Sequence, residues 1–175
     1  MKIKKSVTFC LIITACITSV VVFANAKTEF EMNPKNQEDY FTFAVIEYSK
    51  GDYLKAIKYC NEGIKAGGGT FDLFSTKAQA MEKLGNIDGA ILALTEAVKL
   101  PQNSQTGAAY YTMAKLEYSK NNLKSAAKDY IKASESYMWE SGNSNNNKKI
   151  YIKLANEARL KATAIQQEIS QKKQK

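Results

Sequence analysis

Two motifs recur along this chain with a common spacing, and that spacing restricts its fold more than any other feature. A turn motif begins at Gly51, returns at Gly85 and appears again, weakened, at Asn121, so its steps are 34 and 36 residues. A column of alanines has the same two steps, at Ala44, Ala78 and Ala114. Columns that share a period of this length indicate a repeated helix pair, because one such pair cannot bury its apolar face alone.

The residues of the repeat resemble those of the tetratricopeptide repeat family. The bulky residue that opens each first helix and the alanine of each second helix match that family's pattern: Tyr40, Phe74 and Tyr110, then Ala56, Ala90 and Ala126. The resemblance implies an all-α fold, an α-solenoid of about three helix pairs with a C-terminal capping helix. The three repeats are expected within residues 38–140, over about 38–70, 71–104 and 107–140.

The segment after the third repeat predicts one further helix over residues 148–170. Apolar residues recur there at steps of three and four and form one face: Tyr151, Leu154, Ala155, Ala158, Ala162, Ile165 and Ile169. We expect a capping helix whose other face meets water, through Lys153, Glu157, Lys161 and Glu168. Residues 171–175 are expected to form a disordered tail.

The first 26 residues have the layout of a secretory signal peptide. A basic start precedes an uncharged apolar run over residues 6–23, and small residues surround a cleavage site after Ala26. We therefore predict an exported chain, periplasmic if the signal and the family are taken together, with a linker over residues 27–37. Two alternatives stay open: an uncleaved anchor, which would associate residues 6–23 with a membrane, and a lipoprotein modified at Cys16.

The sequence predicts no catalytic residues, no cofactor and no metal ligands. The chain has no histidine, which excludes His-dependent triads and His-ligated metals. Of its three cysteines only Cys60 lies outside the signal peptide, in a helix-packing column, so we expect a buried and inert thiol. The glycines at 67–69 lack the Lys-Ser/Thr pair of a phosphate-binding loop. The chain is therefore expected to be non-enzymatic.

Binding residues are predicted on a second face of the first helices. In repeat one, Phe41, Val45 and Tyr48 form an apolar stripe beside the stripe that core packing requires. In the resembled family this face lines a concave groove that holds peptides or partner segments. The groove residues that follow from the resemblance are Phe41, Val45, Tyr48, Ser49, Gln79, Glu82, Tyr111, Lys115 and Tyr118. The alternative is that these aromatics pack only against neighbouring helices.

These features predict an exported protein that holds a segment of a protein or peptide partner, in a role such as cell-envelope assembly. Self-association as a structural component and glycan binding on stacked aromatics are the alternatives. Residues 27–118 carry a net charge of −2 and residues 119–175 a net charge of +7. Solvated helix faces commonly give such a pattern, with acidic partners or an anionic membrane as the other interpretation. Aromatic and basic residues form no nucleic-acid-binding motif, so no nucleic acid is expected as a partner.

Overall fold

The computed structural model describes Pro34, residues 36–144 and residues 146–174, so the predicted signal peptide and most of the linker lie outside it. The described residues form seven helices and no strand. The helices are α1 (Gln37–Lys50), α2 (Tyr53–Gly67), α3 (Phe71–Lys83), α4 (Ile87–Ala97), α5 (Thr106–Ser119), α6 (Leu123–Asn143) and α7 (Lys148–Lys172). The all-α prediction is confirmed for this part of the chain.

The first six helices form three pairs, and α7 packs against the last of them. Short turns fold α1 onto α2, α3 onto α4 and α5 onto α6, while α7 packs on α6. Ala44 of α1, Cys60 of α2 and Leu73 of α3 form a small apolar cluster between repeats one and two, which we call the Leu73 cluster. Two larger clusters continue the core, one across α3, α4 and α5 and one across α5, α6 and α7. The predicted solenoid with a C-terminal capping helix is therefore the observed architecture.

The repeated small residues are the points of closest helix contact. The alanines of both columns are buried: Ala44, Ala56, Ala78, Ala90, Ala114 and Ala126. Cys60 lies in the same interior, and its burial raises the pKa of the thiol to about 12. Because burial disfavours the thiolate, the thiol is expected to stay protonated at neutral pH, and the predicted burial of Cys60 is confirmed.

The turn between the helices of each pair places one residue in the left-handed region. The φ angles are 84° at Gly51, 75° at Gly85 and 60° at Asn121. Asn121 is the one non-glycine residue with positive φ in the described part of the chain. Asparagine enters this region more readily than most residues, which explains why the third repeat keeps the turn without glycine.

Replacing Asn121 by glycine is expected to raise the free energy of unfolding by about 0.5–1 kcal/mol, because glycine adopts a left-handed conformation without steric cost. The reverse change, Gly85→Asn, should lower it by a similar amount, since an added Cβ at Gly85 would meet no atom within 4 Å and only the backbone conformation is affected. Urea denaturation followed by circular dichroism measures both. Equal shifts of the same sign would contradict the explanation.

Two helices at the C-terminal end are longer than the sequence suggests. α6 has 21 residues and extends beyond the predicted repeat boundary at 140, carrying the half-exposed Trp139 close to its end. α7 continues to Lys172, so the first two residues of the predicted disordered tail are helical. The tail prediction was wrong for Gln171 and Lys172, because the exposed polar residues at this end are good helix formers.

The end of α6 caps the start of α5. The Gln105 side chain makes no capping bond to the helix that it precedes. Instead, the Gly107 backbone N–H donates to Glu140 Oε1 at 3.2 Å. Glu140 is 2 % exposed, and its Oε2 makes no hydrogen bond to the described residues. Burial raises the pKa of the Glu140 carboxyl, and the bond from Gly107 opposes that shift without cancelling it.

Replacing Glu140 by glutamine is expected to reduce the pH dependence of stability just above the ordinary carboxyl pKa. Because the pKa of Glu140 is raised in the folded state, the unfolded chain releases this proton first as pH rises. The contribution of Glu140 to the unfolding free energy therefore falls across that interval. Glutamine keeps an acceptor for Gly107 and cannot ionise.

Chemical denaturation at a series of pH values measures the effect, with the exposed Glu135→Gln on the same helix as the control. We expect the unfolding free energy of Glu140→Gln to increase relative to that of the wild type as pH rises. A difference between the two that stays constant with pH would contradict the assignment.

Candidate functional site

An open cleft lies between α3 and α5, the first helices of repeats two and three. Its volume is about 190 Å³. One wall carries Ser75, Gln79 and Glu82 of α3, and the other carries Ala108 and Thr112 of α5. Its floor is largely apolar and comes from three helices: Phe71, Ala78, Leu94, Ala109 and Leu116. The structure thus brings two predicted groove residues, Gln79 and Glu82, into one site.

The polar groups of the cleft retain hydrogen-bonding capacity. Gln79 Nε2 donates one long bond, 3.5 Å, to Ser75 Oγ. Glu82 forms no ion pair with any described residue. At the edge of the cleft, Gln105 Nε2 donates to Asp72 Oδ1 at 3.1 Å and links the start of α5 to α3. The exposed amide and carboxylate can bond to a peptide backbone or to a basic side chain.

The stripe on α1 is partly used for internal packing. Phe41 is half-buried and packs against the Leu73 cluster. The Tyr48 ring meets the Tyr53 ring edge-on, with centroids 5.4 Å apart. Val45 is 39 % exposed, and Ser49 beside it donates its hydroxyl to the Val45 carbonyl oxygen at 2.8 Å. Val45 is therefore the most open apolar residue of this stripe.

Tyr111 is held by the capping helix. Its hydroxyl donates to Glu157 Oε1 at 2.6 Å, and its ring meets Tyr130 edge-on at 5.1 Å. The Lys161 ammonium lies 5.8 Å from the centre of the same ring. Burial, followed by the bond to Glu157, raises the pKa of the Tyr111 hydroxyl, which remains a donor at neutral pH. The structure therefore gives Tyr111 a packing role that joins α5 to α7.

Tyr118 and Lys115 remain accessible on the same helix. Tyr118 is 48 % exposed, and its hydroxyl lies 3.5 Å from Glu168 Oε2. Tyr118 and Glu168 border a second hollow of about 310 Å³. Its further lining residues are Tyr130, Lys161, Ala164 and Ile165. The sequence assigned Lys161 and Glu168 to a face that only meets water. α7 instead brings both to the tyrosines of α5.

Sequence reasoning missed the α5 wall of the cleft. Ala108 and Thr112 are small residues without a periodic signature of their own, and they matter only because α3 lies opposite. Among the described residues no group of three or more His, Cys, Asp or Glu side chains could hold a metal ion. Nor is any helix in the described ranges both long and apolar enough to cross a membrane. The candidate anchor at 6–23 lies outside those ranges.

Comparisons with known proteins agree with this architecture. The chain is 30 % identical over 110 residues to the TPR repeat-containing protein MJ1428 of Methanocaldococcus jannaschii, a match that covers 63 % of this chain. It spans only 19 % of the length of that relative. No protein-family model matches the chain.

Two crystal structures of MamA superimpose on the chain with a TM-score of 0.54 and 18 % sequence identity. They cover 83 % of this chain, and the match covers 86 % and 81 % of theirs. Identity at this level supports a shared arrangement of helices and does not extend to a shared ligand.

Proposed function

This chain is built from tetratricopeptide repeats, and from that premise we propose that it is a non-enzymatic adaptor that holds an extended segment of a partner protein. A fold of this kind suggests a protein–protein interaction module. The segment would lie across the first helices α1, α3 and α5, against the face that the sequence marks in all three repeats. The structure favours the middle of that face as the main contact.

The cleft between α3 and α5 is the observation that carries this proposal. Its α3 wall carries the predicted groove residues Gln79 and Glu82, and its α5 wall carries the small side chain of Ala108. A small residue at the wall leaves room for a backbone to approach, and the floor supplies apolar contact. Gln79 and Glu82 can bond to that backbone, which suits main-chain recognition of an extended peptide.

The two ends of the proposed path differ in character from its middle. Val45 lies at the α1 end and Tyr118 at the α5 end, both substantially exposed. A segment with apolar side chains towards its two ends and a polar or basic residue between them would match this order. Tyrosine adds a large contact area at a small entropic cost, so Tyr118 is the expected anchor.

We also propose that the chain acts outside the cytoplasm, in the cell envelope, after removal of residues 1–26. The support is the order of basic start, apolar run and small-residue site in the sequence. N-terminal sequencing of the protein from its own cells tests this. A chain that begins at Lys27 supports cleavage, whereas an intact N-terminus or a lipid on Cys16 would replace it with one of the two alternatives.

Blocking the cleft tests the binding function. Ala108→Arg places a long side chain over the cleft from an exposed helix position and should reduce partner capture at least tenfold. Ala66→Arg is the matched control, because Ala66 is an exposed alanine of α2 that does not line the cleft. Affinity purification from the envelope fraction, compared across wild type and both variants, is the measurement.

A partner that is lost with Ala108→Arg and kept with Ala66→Arg supports the proposal, and overlapping peptides of that partner then locate the segment. Equal capture by all three proteins would overturn it. Light scattering on the same samples identifies capture of a second copy, which would favour the self-association alternative.

A further inference from the structure

A groove separate from the cleft runs between α6 and α7. Two adjoining hollows of about 490 and 430 Å³ form it and share Lys124 and Ile169. Its apolar lining includes Ala127 and Ile131 of α6 together with Ile169 of α7. We call it the α6–α7 groove. None of its residues lines the cleft between α3 and α5 or the hollow beside Tyr118.

One apolar side chain of the groove is exposed, while Ala127 is buried and Ile169 is half-buried. Ile131 is 38 % exposed. Met138 follows seven residues later, which places it on the same face of α6, and it is also exposed. Ile131 and Met138 therefore form an exposed stripe of about two helical turns, a shape that matches the apolar stripe of another helix.

The rim of the groove is basic, and although Lys172 pairs with Glu168, two of its other lysines have no ion-pair partner among the described residues. Lys124 and Lys128 both line it and form no ion pair with any described residue. Residues 119–175 carry a net charge of +7. Two of the acidic residues in this range, Asp129 and Glu140, are buried, so the surface is more basic than the count indicates. Such a rim attracts acidic side chains and repels basic ones.

The groove also lies beside α7, which has no second helix paired with it among the described residues. α7 packs on the preceding pair as a first helix does, and α1, α3 and α5 are each covered by a second helix. No described residue supplies a second helix for α7. A helix from another molecule that lay along α7 would therefore complete the pattern of the solenoid.

From these observations we propose that the α6–α7 groove receives an acidic amphipathic helix of a partner protein. A bilayer surface is disfavoured because Ala127 is buried and Ile169 half-buried, so a flat surface would meet mainly Ile131. A second copy of this chain is disfavoured by charge, because residues 27–118 carry a net charge of only −2. The proposal concerns a different surface from the cleft and stands independently of what the cleft binds.

A designed peptide of about 20 residues tests the proposal; it carries leucines at steps of three and four on one face and glutamates on both flanks. Its mirror control has lysine in place of each glutamate. Fluorescence anisotropy measures the binding of each labelled peptide to the protein. We expect the acidic peptide to bind at least tenfold more tightly than the basic one, and added salt to weaken that binding.

Substitutions then distinguish the contribution of the apolar floor of the groove to peptide binding from that of its basic rim. Ile131→Asp should weaken binding of the acidic peptide at least tenfold. Leu92→Asp, on the exposed face of α4, should leave that binding unchanged. The double change Lys124→Glu with Lys128→Glu should reverse the preference and favour the basic peptide. Circular dichroism confirms that each variant is folded, as expected for exposed positions.

Three results would overturn the proposal. The first is equal binding of the acidic and basic peptides, or no binding of either. The second is binding of phosphatidylglycerol vesicles that Ile131→Asp abolishes, which would assign the groove to a membrane surface. The third is a dimer in light scattering that Ile131→Asp dissolves, which would assign it to a second copy.

Discussion

Replacing Leu73 by alanine is expected to lower the free energy of unfolding by about 3 kcal/mol, within the range that buried leucines show. Leu73 is fully buried at the start of α3 and belongs to the small Leu73 cluster. Its methyl carbons lie so close to Gly63 of α2 that an added Cβ there would be 3.1 Å away. With so few large side chains in this cluster, little remains to fill the cavity, and repeat one should loosen from repeat two.

Leu92→Ala is the matched control for that experiment, because it removes the same atoms from a side chain that is 64 % exposed. Its effect should stay below about 0.5 kcal/mol. Urea denaturation followed by circular dichroism measures both variants. A broadened or two-step transition for Leu73→Ala would indicate that repeat one unfolds separately, whereas equal losses for the two variants would contradict the assigned core.

The contact between Tyr137 and Gly107 predicts a second large effect. The stability change caused by Gly107→Ala should reverse its sign when Tyr137 is replaced by alanine. Tyr137 is buried against α5 and stacks on Tyr151 with ring centroids 6.4 Å apart. An added Cβ on Gly107 would lie 2.6 Å from Tyr137 Cδ1, so Gly107→Ala should cost about 1–3 kcal/mol through overpacking. Tyr137→Ala alone should cost about 3–4 kcal/mol as a large side chain lost from a core.

In the Tyr137→Ala background the obstacle to a methyl group at Gly107 is gone. Gly107→Ala should then be neutral or stabilising by up to about 0.5 kcal/mol, because alanine is the better helix former. A double-mutant cycle on the unfolding free energies measures this coupling. Additive losses would show that the Tyr137 ring moves aside. Since Gly107 adjoins Ala108, partner capture by Gly107→Ala also reports whether the α5 wall of the cleft depends on this contact.

The repeat period of the sequence predicted the fold because each repeated residue has a role in local geometry, either at a helix contact or in a turn. The alanine columns mark helix contacts, and the third turn keeps a left-handed residue at Asn121 where the first two have glycine. The burial of Cys60 followed from its position in a packing column. Such tasks depend on spacing along one helix pair, and spacing can be read from the chain itself.

The candidate site was less predictable because it depends on helices that lie far apart in sequence. Tyr111 and Glu157 are 46 residues apart, and Tyr118 and Glu168 are 50 apart, yet each pair is in contact. Whether a tyrosine on a second apolar face is open or covered is decided by where α7 packs. The role of Ala108 likewise depends on the distance between α3 and α5, for which a single alanine carries no sequence signal.

The position of the single tryptophan has a consequence for spectroscopy. Trp139 lies half-exposed near the end of α6, next to the buried Glu140. Its emission in the folded protein already reflects contact with water, so unfolding should change the emission wavelength little. Quenching or a wavelength shift of the Trp139 emission reports on the contact between the end of α6 and the start of α5. Tryptophan fluorescence excited selectively in this protein is therefore a local signal from one end of α6 and does not report on the cleft.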